Sequence, residues 1–113
     1  MLSRIRNFVT TGTKAPNANL EVDVRHTADA RVAGSAQIVD VREPSEWAEG
    51  HIPGAIHIPL GDLPRMAVTL DRARPVITVC RSGNRSLVAL DPLREEGITS
   101  ARSLAGGMKA WQA

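Results

Sequence analysis

The sequence predicts an α/β domain with a mainly parallel sheet and helices on both faces. From Leu20 onward, short apolar runs alternate with segments that suit helices, the order that builds parallel sheets. The run "RPVITV" (74–79) has the β-branched residues of a buried strand, and its proline stands only at the entrance. A chain of 113 residues, 42% apolar and 23% charged, suffices for one core and not for two.

Residues 1–19 stand apart from the domain expected over 20–113. "MLSRIRNFVTTG" is basic and mildly amphipathic, with Leu2, Ile5, Phe8 and Val9 able to share one face. It reads as an arm or short helix packing on the domain. A transit peptide or a membrane-surface helix is the alternative. "TGTKAPNANL" then reads as a linker, rich in turn-forming residues.

"LEVDV" (20–24) is a weak first strand, and "AQIVDV" (36–41) a buried one with Asp40 near its end. "EPSEWAEG" (43–50) suits a short helix, with Pro44 in its first turn and Gly50 at its exit. "AIHIPL" (55–60) is a third strand stopped by Pro59, and "GDLPRMAVTL" (61–70) a helix. After "RPVITV" and a polar loop, Leu87, Leu90 and Leu93 recur three apart along a helical face that Pro92 interrupts. A mid-helix proline costs roughly 3 kcal/mol, so the helix either kinks there or restarts, with Asp91 as a cap and Pro92 at the first position. "SARSL" (100–104) suits a last strand, and "GGMKAWQA" (106–113) a closing helix with Trp111 inward.

Composition narrows the function classes. The formal charge of +2 demands neither nucleic acid nor membrane. Tyrosine is absent and aromatics make up 3%, which leaves little material for stacking on bases. No run approaches the roughly 18 apolar residues of a membrane span. With no secretory h-region, the expected location is cytoplasmic. His26, His51 and His57 lack the spacing of a zinc site.

Cys80 is the chain's only cysteine, so a disulfide within the chain is excluded and any covalent intermediate on it must be discharged from outside. It follows the most strand-like run and precedes Arg81, Ser82, Gly83, Asn84, Arg85 and Ser86. In open α/β sheets, ligands sit beyond the carboxyl ends of the strands, where Cys80 and Asp40 both fall. A short loop feeding a helix turns successive N–H groups toward one point, and Gly83 allows the positive φ that such a bend needs. Amides, helix dipole and two guanidinium groups together favour thiolate over thiol, which makes a nucleophile near neutral pH. The plainer reading is a buried inert thiol; the doubly basic loop speaks against it.

Here "IVDVREPSEWAEGHIPGAIHIPL" (38–60), "VCRSGNRS" (79–86) and "LAGGMKAW" (104–111) resemble the signature stretches of single-domain rhodanese-like sulfurtransferases, in that family's order. The resemblance implies a rhodanese-like fold, about five parallel strands flanked by helices. It also implies that Cys80 takes the outer sulfur of a small donor such as thiosulfate and holds it as a persulfide. The sulfur then passes to cyanide, to a cellular thiol or to a sulfur-relay protein, with no metal or organic cofactor.

The residues fit that chemistry. N–H groups over 81–86 suit a persulfide anion, and Arg81 and Arg85 suit a divalent oxyanion, unless they are solvated or in structural ion pairs. Asp40 either holds the pocket's shape through the loop amides or Arg85, or takes part directly. Arg42 and Glu46, four apart, suit a surface pair. His51 resembles the family's structural histidine, with proton carriage as the alternative. Trp47 suits core or rim packing, and Gly106 and Gly107 the turn into the last helix. A phosphatase or arsenate reductase is the rival enzyme class. Four residues separate Cys80 from Arg85, and Ser86 stands where a tyrosine phosphatase has its arginine. A non-catalytic rhodanese-like binding module is the remaining alternative.

Overall fold

The computed structural model of the chain describes residues 19–113, so the arm expected over 1–19 lies, through residue 18, outside the described residues. Strands β1 (Glu21–Val22), β2 (Gln37–Asp40), β3 (Ile56–His57), β4 (Val76–Val79) and β5 (Arg102–Leu104) pair in the order β1-β5-β4-β2-β3, every pair parallel. The two central strands, β4 and β2, are buried along their whole length, as strands covered on both faces must be.

The two-residue period of each strand sorts side chains into two cores. Val39, Val41, Val76 and Cys80 point to one face, where Leu63, Ala67, Leu90 and Leu93 pack on them. Those residues come from α3 (Leu63–Met66) with the 3-10 turn after it, and from α5 (Leu90–Glu95); α4 (Asn84–Val88) adds Leu87 at the margin. Ile38, Ile77, Val79 and Leu104 point to the other face, beneath Ala30 of α1 (Val24–Ala33) and Met108 of α6 (Gly107–Gln112). Trp111 packs inward against this second core, as expected. Helix α2 (Pro44–Glu49) buries no residue and stands beyond the carboxyl end of β2.

Four elements differ from expectation; the third strand, expected over 55–60, pairs only over Ile56–His57. "LEVDV" is a strand only over Glu21–Val22, because the Asp23 carboxylate accepts the N–H of His26 at 2.8 Å and starts α1, a helix absent from the sequence reading. The helix expected over 61–70 is one α-turn between two 3-10 turns, Leu60–Asp62 and Ala67–Thr69. The helix with Pro92 does restart, but at Leu90 after Ala89, not at a cap on Asp91. Pro92 is thereby the third residue of α5, where its missing N–H leaves no helical bond unmade.

Candidate active site

The loop from Cys80 to Ser86 leaves β4 at the carboxyl edge of the sheet and is tied from behind by α6. The Cys80 carbonyl accepts the Met108 N–H at 2.8 Å, and the Arg81 carbonyl accepts that of Lys109 at 3.0 Å. Gly83, at φ 107°, is the left-handed turn into α4. This curl brings the N–H groups of Gly83 and Ser86 onto Cys80 Sγ at 3.1 and 3.3 Å, with Ser86 Oγ also at 3.3 Å. Cys80 is 1% exposed. Burial is the largest single influence on the thiol and pushes its pKa up. Hydrogen bonds from the Ser86 hydroxyl and the N–H groups of Ser86, Gly83 and Ser82 outweigh it, and the net pKa lies below the ordinary value.

Ser86 is fixed from two sides. Thr78 Oγ1 donates to its carbonyl at 2.8 Å, and its hydroxyl meets that of Ser103 at 2.7 Å. Thr78 and Ser103 are register partners on β4 and β5, so both side chains lie on the face that carries Cys80.

The two loop arginines differ. Arg81, Ser82 and Asn84 are exposed. Arg81 borders a polar cleft of about 260 Å³ together with Lys109, Glu46 and Glu49. Half-buried Arg85 makes a two-point ion pair with Glu46 of α2 at 2.7 and 2.9 Å. That guanidinium is the main reason the Glu46 pKa falls to about 2, against a smaller opposing effect of burial. Arg85 is shifted up in return, chiefly by the same hydrogen bonds. A larger groove, about 600 Å³, flanks the loop on the side of β1 and α1, lined by Asp23, Val24, Ser82, Asn84 and Leu87 among others.

Two expected pairings are replaced. Asp40 bonds neither the loop amides nor Arg85; its carboxylate takes the Arg42 guanidinium at 2.8 and 3.0 Å and the Arg42 N–H at 3.0 Å. Arg42 is therefore not in a surface pair with Glu46 but buried, and its Nη2 also donates to the Gly50 carbonyl at 2.8 Å. The unit fixes the turn from β2 into α2, and so the place where Glu46 stands. His51 is exposed, with Nδ1 2.9 Å from the Trp47 carbonyl and its ring stacked on the indole at 3.4 Å, which ties it to α2. Among the described residues, no group of His, Cys, Asp or Glu is arranged to hold a metal ion.

Three residues near the loop are not among those expected there: Glu46 as its partner, Ser103 and Lys109. Only Lys109 had a local signal, its place in the first turn of the helix that follows the glycine pair. Ser103 and Glu46 reach the loop through strand register and α2 packing.

A protein-family model described as "Rhodanese-like domain" matches residues 22–113. A Bacillus subtilis protein, YtwF, provisionally named a sulfurtransferase, is 44% identical over 75 residues, covering 66% of this chain and 72% of its own. A second B. subtilis protein, YrkF, provisionally named a sulfur carrier, is 36% identical over 77 residues, covering 68% of this chain and 42% of its own. Among solved structures, the human single-domain sulfurtransferase superposes with a TM-score of 0.71 at 30% identity, over 88% of this chain and 96% of that one. A rhodanese-related protein from Thermoplasma volcanium gives 0.74 at 27% identity, over 82% and 90%. With the family model matched over residues 22–113 and the fold shared with the solved structures, the chain belongs to the rhodanese-like family.

Proposed function

We infer that the protein is a sulfurtransferase that carries sulfane sulfur on Cys80. The observation behind this reading is the ring of donors on Sγ: the Gly83 and Ser86 N–H groups at 3.1 and 3.3 Å and the Ser86 hydroxyl. The same donors suit an added sulfur, because a persulfide anion carries its charge in the space they enclose.

The Cys80 thiolate attacks the outer sulfur of a donor such as thiosulfate. The donor's S–S bond breaks, its electron pair leaves with sulfite, and a new S–S bond forms on Cys80. Cyanide or a thiolate then attacks the outer sulfur of the persulfide. The pair of the breaking bond returns to Sγ, giving thiocyanate or a new persulfide and restoring the thiolate. No external oxidant or reductant is consumed.

Arg81 and Lys109, at the polar cleft, suit the incoming and departing oxyanions. Arg85, its charge partly offset by Glu46, anchors the loop to α2. Asn84 and Ser82 line the groove on the other side, where a sulfur-relay protein would approach. A thiol that must stay reduced suits the cytoplasm.

Incubation with thiosulfate followed by intact-mass measurement tests the reading. One added sulfur atom on the protein, lost on treatment with cyanide and absent in Cys80→Ser, is the expected result. A protein that gains no sulfur from thiosulfate or from low-molecular-weight persulfides would instead be a binding module.

A further inference from the structure

Ser103 lies one strand away from the loop and is fully buried, as is Ser86. Its hydroxyl meets Ser86 Oγ at 2.7 Å, and Ser86 Oγ lies 3.3 Å from Cys80 Sγ, so three side chains form a line ending on the sulfur. Among the described residues, Ser86 is the only hydrogen-bond partner of the Ser103 hydroxyl.

A hydroxyl has one hydrogen and two lone pairs; a Ser86 oxygen that accepted from both neighbours would leave its own hydrogen buried without an acceptor, so the line runs in one of two directions. In the first, Ser103 donates to Ser86 and Ser86 donates to the sulfur; every hydrogen is used and the sulfur is an acceptor only. In the second, the thiol donates to Ser86 and Ser86 donates to Ser103. That leaves the Ser103 hydrogen buried without an acceptor, a cost typical of unsatisfied buried polar groups. Hydrogen bonds in a chain also polarise one another, which strengthens the first direction when the sulfur is charged. We propose that Ser103 is a positioning residue for Cys80: its hydroxyl donates to Ser86 and thereby turns the Ser86 hydrogen onto the sulfur.

The proposal rests on Cys80 being the reactive nucleophile, and its test is separable from that reading. The rate of alkylation of Cys80 by iodoacetamide, followed against pH, gives the titration midpoint. Ser103→Ala should move this midpoint upward by roughly half to one pH unit, the scale of one modest hydrogen bond. Ser103→Thr, which keeps the hydroxyl, should restore it. In a Ser86→Ala background, Ser103→Ala should add nothing. A purely structural Ser103 would lower the unfolding midpoint of both Ser103 variants and leave the thiol titration in place, which overturns the proposal. If the variants do not fold, the unmodified protein decides. The Ser103 Cβ chemical shift should follow the Cys80 titration, and a flat shift overturns the proposal equally. Failure of the unmodified protein to take sulfur from any donor would strike the sulfurtransferase reading and leave the Ser103 comparison interpretable.

Discussion

Arg85 and Glu46 meet through two parallel hydrogen bonds, at 2.7 and 2.9 Å, so the guanidinium beside the sulfur is already partnered by a carboxylate from another element. The pair sets two opposing demands. It holds the loop against α2, and it offsets part of the positive charge that the loop presents.

Glu46→Gln separates those demands. It removes a negative charge next to the loop while Arg85 remains, so KM for thiosulfate should fall by roughly two- to threefold, with an unfolding free energy lower by about 1 kcal/mol or less. Arg85→Ala should raise KM by about tenfold or more, since both the charge and the strut go. Steady-state kinetics beside thermal unfolding distinguish the two. A Glu46→Gln enzyme with raised KM would assign the pair a purely architectural role.

The same pair fixes an acid limb of stability. The Glu46 pKa is about 2 in the folded protein against an ordinary 4.5, a depressed carboxylate. Its contribution is therefore complete above about pH 4.5 and drains away as pH falls toward 2. Chemical unfolding across that window should show a shallower loss for Glu46→Gln than for the unaltered chain.

Asp40 and Arg42 form the opposite kind of ion pair, with side chains 1% and 7% exposed. Removing one partner of such a pair leaves an uncompensated buried charge, so Arg42→Met should destabilise by about 3–5 kcal/mol. The double variant Asp40→Asn, Arg42→Met should recover part of the loss. A denaturant series measures both, and equal stabilities for single and double variants would contradict the coupling.

Gly107 stands where α6 meets the loop, at φ 56°. A Cβ there would overlap the Cys80 carbonyl oxygen and lie 2.7 Å from the Arg81 carbonyl. Gly107→Ala should therefore cost both folding stability and the lowered thiol pKa, as backbone strain and displacement act on the same peptide groups. Alkylation against pH, together with thermal unfolding, checks both. A variant with unchanged thiol titration would show that the loop tolerates the shift.

Much of this was readable from residues in order, because the signals were local. "RPVITV", the short helix with Pro44 in its first turn, and the glycine turn at Gly106 each form the element expected of them. Helix α1 was missed because its ten residues bury only Thr27 and Ala30, too little for an apolar stripe. Asp23, its cap, was the available cue. Within the site, the cysteine and its loop were legible since they are contiguous. The partners of Asp40, Arg85 and Ser86 were not: charge spacing along a chain does not reveal which carboxylate a packed helix will deliver. Arg42 is the clearest instance, paired with a residue two positions away along its own strand end, not with one a helical turn ahead.

The attachment of α6 has a consequence for the direction of the field at the sulfur. A trans peptide sends its oxygen and its hydrogen to opposite sides. With the Arg81 oxygen held outward by Lys109, the Ser82 hydrogen of the same plane turns to the thiol, and the Met108 bond orients the plane before it. The last helix of the chain thus acts as a jig for two peptide planes it never shares a sequence neighbourhood with. Were its first turn to loosen, those planes would be released to rotate, and carbonyl oxygens would face an anion where hydrogens now do.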